Sequence, residues 1–352
     1  MRASGKGVFA DETCYVSCSA LGKHIVYGFR LVRILIIGSD NPWRMERGTQ
    51  RALSRAGHKT RLIDDARARK LIGWKLAQRW ALSQAKRFKA DFVLLSKCAG
   101  LSTDTVSEII AGKDNAVWFH DAQWFKSTYR PEIAHVVKIG KLTKTFFVSG
   151  FEKEWARLGL PAKFLPSCAD IAIKPVAPEK LLAADVAFIG NGHDAARAKF
   201  LLRIAAKYDF KVWGREWEEW RKPLHWTGRS VEGKEFAAVC ASSKIILGVN
   251  PSRYTGDAEN ATSDRTWMTI LAGGFFLGHG TPALKQMLHD GEHCAWYSDI
   301  DSCLAQCKHY VVNSHARERI RREGQAVVRQ YHTFDQRIKN LLSGEEFVNP
   351  LG

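Results

Sequence analysis

The chain has 352 residues, 45% of them hydrophobic and 25% charged, which excludes wholesale disorder and supplies material for two ordinary domains. Its formal net charge is +17, from 53 Lys and Arg against 36 Asp and Glu. That favours anionic partners without choosing among nucleotides, phosphorylated glycans, nucleic acid and an acidic membrane face. No uninterrupted apolar run reaches the ~20 residues of a membrane-crossing helix. The eight cysteines include no CxxC, and the pairs Cys14/Cys18 and Cys303/Cys307 lack further ligands at metal spacing. No metal site is expected, and the thiols read as reduced ones in a cytoplasmic protein.

Residues 1–30 have no clear period and no compact apolar stretch. They read as a disordered extension or an over-long start, with the fold beginning at Val32. From there strands and helices alternate. Val32–Gly38 is a buried strand, Glu46–Ala56 a helix closed by Gly57, and Thr60–Ile63 a short strand. Lys70–Lys89 is a long basic helix, Asp91–Ser96 a strand, Thr103–Ala111 a helix, and Ala116–Phe119 a strand ending at His120-Asp121. Thr145–Val148 is a strand and Phe151–Leu158 a helix. Lys163–Lys180, with Pro166, Pro175 and Pro178, breaks the rhythm and reads as a linker.

The rhythm then restarts. Strands are expected at Asp185–Gly190, Phe210–Gly214, Lys244–Val249, Gly274–Gly278 and Cys294–Tyr297. Helices are expected at Ala195–Lys207, Gly233–Ser242, Arg265–Leu271, Ala283–His289, Ile300–Val311, His315–Gln330 and Thr333–Leu342. Strands alternating with helices imply crossovers and parallel sheets. The expected fold is α/β, with two Rossmann-like lobes facing a cleft. The expected bounds are 31–165 for the first lobe, 166–180 for the linker, 181–332 for the second lobe, and 333–352 for a C-terminal helix and tail that crosses back.

Candidate sites lie beyond the strand carboxyl ends, where open α/β sheets bind ligands. Thr262-Ser263-Asp264-Arg265 opens a helix with capping residue types and an arginine in its first turn. With Asn250 at the end of the preceding strand, Ser263 and Arg265 suit a diphosphate; equally, Ser263 caps and Arg265 pairs at the surface. The intervening loop carries Arg253 and Tyr254. Gly190-Asn191-Gly192 lets backbone amides approach a phosphate, or is a plain turn. Gly214 and Arg215 end the next strand and suit a base or a phosphate. Trp213, Trp217, Trp220 and Trp226 either stack on ligand or pack on their own lobe. In the first lobe, His120 or Asp121 could take a proton from an acceptor hydroxyl, and His120 has the better-suited pH range. Ser39-Asp40-Asn41, with Arg44 and Arg47, lines the same side. The basic segment 315–323 reads as an amphipathic helix with a solvated face, so a nucleic-acid partner is not expected.

The second half resembles CgeB-like, spore-maturation-type glycosyltransferases of the GT-B fold. The resemblance rests on Asp185–Asn191, Val212–Arg215, Ser243–Asn250, Ser263–Leu277, Gly291–Cys294 and Glu318–Ile338; in the first half it is looser, at Asp91–Lys97 and Val117–Asp121. It implies a nucleotide sugar (UDP-, GDP- or dTDP-linked) on the second lobe and a hydroxyl acceptor on the first. Gly190, Asn191, Gly214, Arg215, Asn250, Ser263 and Arg265 would hold the donor, and His120 or Asp121 would serve the acceptor. No cofactor and no metal are implied, and peripheral contact with the inner membrane face fits the charge. One departure stands out: where many relatives carry a glutamate that bonds the donor, this chain has Met268, which cannot accept such bonds. Asp257, Glu259 or Asp264 could supply the missing carboxylate. Otherwise the chain is an inactive nucleotide- or glycan-binding protein.

Overall fold

A computed structural model describes residues 31–121, 130–250 and 260–351. Its first half runs β1 (Arg33–Ile37), α1 (Met45–Arg55), β2 (Lys59–Ile63), α2 (Asp65–Phe88), β3 (Phe92–Leu95), α3 (Thr103–Ile110), β4 (Asp114–Phe119), α4 (Arg130–Leu142), β5 (Thr145–Val148), α5 (Glu152–Arg157) and β6 (Lys163–Phe164). The strands form one parallel sheet in the order β2-β1-β3-β4-β5-β6. Side chains alternate between two apolar layers. Leu35, Ile37, Val93 and Leu95 enter one layer, and Ile34, Ile36, Phe92 and Leu94 enter the other. Burial on both faces is why these strands read as unbroken apolar runs.

The second half runs β7 (Ala184–Ile189), α6 (Ala195–Ala205), β8 (Phe210–Trp213), α7 (Gly233–Ser242), β9 (Ser243–Gly248), α8 (Asp264–Leu271), β10 (Phe276–His279), α9 (Pro282–Met287), β11 (Ala295–Tyr297), α10 (Ile300–Val312), α11 (Ser314–Tyr331) and α12 (Phe334–Ser343). Its parallel sheet has the order β11-β10-β9-β7-β8. In each sheet the strand order reverses beside the first strand, between β1 and β3 and between β7 and β9. Those two switch points are where such sheets hold ligands.

The segment 165–170 and the return at 332–334 run side by side. The Ala169 amide donates to the His332 carbonyl (2.9 Å) and the Phe334 amide to that of Ala169 (3.1 Å). Buried Arg337 donates from Nε to the Pro166 carbonyl (3.2 Å). α12 then packs on α1 of the first lobe, with Phe334 against Gly48 and Arg55 bidentate on Asp335 (2.8 and 2.6 Å).

Three elements differ from expectation. α2 starts five residues early because the Asp64 side chain accepts the Arg67 amide and caps it. α4 fills a stretch to which no element was assigned. β6 is a two-residue strand at the start of the Pro-rich segment, paired with β5. The expected extension at 1–30 and the loop with Arg253, Tyr254, Asp257 and Glu259 lie outside the described residues. Among the described residues no helix is long and apolar enough to cross a membrane.

Candidate functional site

Two loops and one helix end meet at the second switch point. The loop after β7 and the loop after β8 are sewn together by backbone bonds. The Gly190 amide donates to the Trp213 carbonyl, the Gly192 amide to the Arg215 carbonyl (both 2.8 Å), and the Arg215 amide to Asn191 Oδ1 (3.3 Å). Gly214 has φ +140°, and a side chain there would strike the Gly190 carbonyl, so only glycine fits. Trp217 and Trp226 lock the same turns from behind. Trp217 Nε1 donates to the Gly190 carbonyl (2.7 Å) and Trp226 Nε1 to that of Gly214 (2.8 Å). Trp213 and Trp217 are fully buried. This aromatic cluster is therefore the brace of the loops and packs on its own lobe.

Arg265 reaches into this frame from the first turn of α8. Its guanidinium carbon lies 4.8 Å from the centre of the Phe188 ring. A Cβ on Gly190 would stand 2.6 Å from its Nη2, so the missing side chain at Gly190 makes room for the arginine. A second arginine shares the ring. Arg197, buried in α6, sits 5.5 Å from the Phe188 centre and donates to the Asn191 carbonyl (2.8 Å). Asp194, which caps α6 by accepting the Arg197 amide (3.0 Å), fixes that turn. Nothing in the residue types around position 197 announced this role; only the packing on Phe188 does. Tyr297 closes the floor, donating to the Gly248 carbonyl (2.8 Å). Asn250 lies half-buried two residues beyond β9. Ser263 stands at the N-cap position of α8, but its side chain makes no capping bond. Arg215 is exposed, with its backbone in the sewn turn.

The approach to α8 is tied to the first lobe. The Thr262 amide donates to the Ser149 carbonyl (3.0 Å), and Thr262 Oγ1 accepts from the Ser167 amide (3.0 Å). Gly150 passes so close to Ala261 that a Cβ would stand 2.7 Å from its Cα. These contacts present the first turn of α8 to the first lobe's strand ends. Asp264 there faces Asp121, Arg44 and Glu46, and bonds Ser167. Burial above all, then Asp121, pushes its carboxyl up to about 7, against the pull of Arg44. Met268 lies one helical turn on, at i+4, hence on the same face. Asp264 and Met268 line one small cavity with Trp43 and Arg44. Trp43 packs on Gly233 at the start of α7, which closes that side.

On the first lobe, Asp121 is ion-paired with Lys97 from the end of β3. His120 stands edge-on to Trp118 at 4.5 Å, and its Nδ1 has no partner among the described residues. Burial, with Lys97 nearby, drives its pKa down to about 3. The ordinary imidazole range that favoured His120 as a proton acceptor is thus not its range here; it is neutral throughout the physiological span. The group tuned near neutrality is Asp264, which the sequence offered as a helix opener and as one of three carboxylates that could replace the one missing at Met268. Asp40 is ion-paired with Arg47, and Asn41 Oδ1 accepts the Trp43 amide (2.9 Å), so this loop positions Trp43 and Arg44.

One group of metal-ligand types lies elsewhere. His289, Glu292 and His293 bring ligand atoms within 4.8 Å of one another near the outer edge of the second sheet. However, His293 Nδ1 accepts the His289 amide (3.1 Å), which places the proton of the neutral ring on Nε2, the atom facing Glu292 (3.4 Å). That atom has no lone pair to offer a metal.

A family profile described as glycosyl transferase-like matches residues 197–343. No curated protein sequence matches the chain at a significant level. Solved structures share the fold at low identity. HepE of Anabaena, in complex with UDP-glucose, aligns with TM-score 0.62 and 10% identity over 89% of this chain and 100% of its own. Sucrose-phosphate synthase of Thermosynechococcus elongatus gives 0.61 and 9% over 89% and 98%. A glycosyltransferase of Rickettsia africae gives 0.57 and 9% over 90% and 98%. The two parallel-sheet lobes of this chain thus have the GT-B architecture, and the matched residues contain α8 with Asp264 and Arg265.

Proposed function

We propose that this chain, a glycosyltransferase of the GT-B fold, moves a sugar from a nucleotide-activated donor to a hydroxyl acceptor. The observation that carries the reading is the arginine pair on Phe188 beside bare Gly190. Two cationic groups, one from the first turn of α6 and one from that of α8, beside a strand switch point, suit the charge of a diphosphate. Arg265 and Arg197 would hold it, with the Asn191 amide on the other side. Positive side chains and the α8 dipole, rather than a metal, would offset the charge that builds on the leaving nucleoside diphosphate. Solved fold neighbours carry UDP or UDP-glucose, so a UDP-sugar is the first donor to test. The finer CgeB-like grouping rests on the residues that carry the resemblance.

Asp264 answers the question raised by Met268. The carboxylate absent at 268 is offered one turn earlier, on the same face and in the same cavity. There it faces Asp121 across the lobes, and a group near neutrality can both hold and release a proton. Asp264 would take the acceptor hydroxyl's proton. Asp121, held by Lys97, would keep that carboxyl's affinity for a proton high, and neutral His120 would orient the hydroxyl. This favours an active enzyme over a silent binding protein.

The test is release of nucleoside diphosphate from a UDP-sugar panel. Arg265→Ala and Arg197→Ala are each expected to weaken donor binding roughly 10- to 100-fold, the value of a hydrogen bond to a charged group. Chelator should leave the rate unchanged. Unaltered donor use in both variants would overturn the assignment, and metal-dependent release would overturn its metal-free part.

A further inference from the structure

α2 carries a surface that donor chemistry does not use. Residues 69–76 are exposed without interruption, and Ala77 is then fully buried. Four of those eight are large and apolar: Leu71 (70% exposed), Ile72 (43%), Trp74 (43%) and Leu76 (55%). The cause is Gly73, which sits at φ 78°, ψ 169° and breaks the helix in mid-course. An unbroken helix would spread positions 71, 72, 74 and 76 around its circumference and turn some of them inward. The break instead lifts a whole turn clear of the body. The other large exposed apolar side chains of the described residues are scattered along the chain and form no such run.

Along the chain through this turn the charge has one sign. Eight Lys and Arg and no acid lie between Asp65 and Asp91. Arg69 sits 4.9 Å from the Trp74 ring centre and donates to the Ala99 carbonyl (3.0 Å), so the tryptophan is held in place rather than loose. Gln78 fastens the next turn to the Gly100 carbonyl (2.8 Å). The loop 97–100 that receives these bonds begins at Lys97, the partner of Asp121 in the cleft.

We infer that the broken turn of α2, with Leu71, Ile72, Trp74 and Leu76 ringed by Arg67, Lys70, Lys75 and Arg79, docks the protein on an anionic lipid surface. Aliphatic side chains with a tryptophan suit the boundary between headgroups and acyl chains, and the surrounding cations suit acidic headgroups. A protein partner would have to cover the apolar run and match the cations interleaved with it at once; a bilayer with acidic headgroups supplies both. Docking here brings the first-lobe side of the cleft, beside Lys97 and Asp121, toward the headgroup layer. The inference goes beyond the donor reading and does not depend on it.

The experiment is sedimentation of the full chain with phosphatidylcholine vesicles, with and without phosphatidylglycerol. Two triple variants accompany it: Leu71→Ser, Trp74→Ser, Leu76→Ser, and Lys70→Gln, Lys75→Gln, Arg79→Gln. All six positions are exposed, so melting temperature and UDP-sugar binding should stay at parent values and report the fold separately. The parent is expected to pellet with the phosphatidylglycerol vesicles and to be released by salt. Each neutralised cation should weaken binding roughly fivefold, and the serine variant at least about tenfold. Three results would overturn the inference: no pelleting of the parent, pelleting that survives both triple variants, or self-association lost in the serine variant while the parent ignores vesicles.

Discussion

Asp264 and His120 are pushed away from their ordinary pKa values in opposite directions, each toward its uncharged form. Burial and Asp121 raise Asp264 to about 7, and burial lowers His120 to about 3. The folded state thus binds the Asp264 proton more tightly than the unfolded chain does. Stability from this residue falls as pH rises from about 4 to about 7, and its cost is complete above 7. Asp264→Asn should therefore raise stability at pH 8 by roughly 1–3 kcal/mol, read as a higher melting temperature, and bring no gain near pH 4. The same change should cut sugar transfer about 100-fold or more and remove a rate limb near pH 7. For His120 the unfolded chain binds the proton more tightly, so stability is lost as pH falls below about 6.5. His120→Gln should reduce that acid loss and leave the pH 7 rate limb in place. If the limb disappears in the His120 variant and persists in Asp264→Asn, the two roles are reversed. At this scale the sequence made Arg265, Gly190 and Gly214 visible, because strand, glycine and helix opening are local grammar. The sequence offered Asp264 only as one of three carboxylates that could replace the missing glutamate; Arg197, and the proton-accepting role proposed for Asp264, were hidden, because a ring shared with Phe188 and a carboxyl facing Asp121 depend on contacts between distant segments.

At the scale of elements, the joint between the lobes rests on α12. It leaves the second lobe beside Ala169 and lies on α1, where Phe334 occupies the space in front of Gly48. Gly48→Leu should clash with that ring, lower stability by about 1–3 kcal/mol, and expose α12 amides to hydrogen exchange before those of α8. Uniform protection in this variant would show that α12 does not depend on the Gly48 seat. Most helices and strands were legible from apolar period and end signals. α12 itself is an example, with Thr333 before it and Gly344 in the left-handed conformation after it. The start of α2 was missed because its first turn is charged and capped by Asp64 rather than marked by an apolar residue. The break at Gly73 was missed because a lone glycine does not disclose its φ. β6 was missed because two residues carry no period at all.

At the scale of the molecule, the two sheets carry the same kind of switch point, and the first turn of α8 sets Arg265 on the second lobe while Asp264 faces Asp121 and Arg44 of the first. The net charge of +17 only favoured an anionic partner; Arg265 and Arg197 are the seat proposed for one on the second lobe. The most direct test is thermal unfolding of the parent and of Arg265→Ala against a panel of nucleotides and nucleotide sugars. A donor at about a hundred times its dissociation constant should stabilise the parent by about 2.7 kcal/mol. A shift selective for one base and sugar is expected in the parent and is expected to be largely absent in Arg265→Ala. No shift with any nucleotide in well-folded parent protein, or an equal shift in the variant, would contradict it.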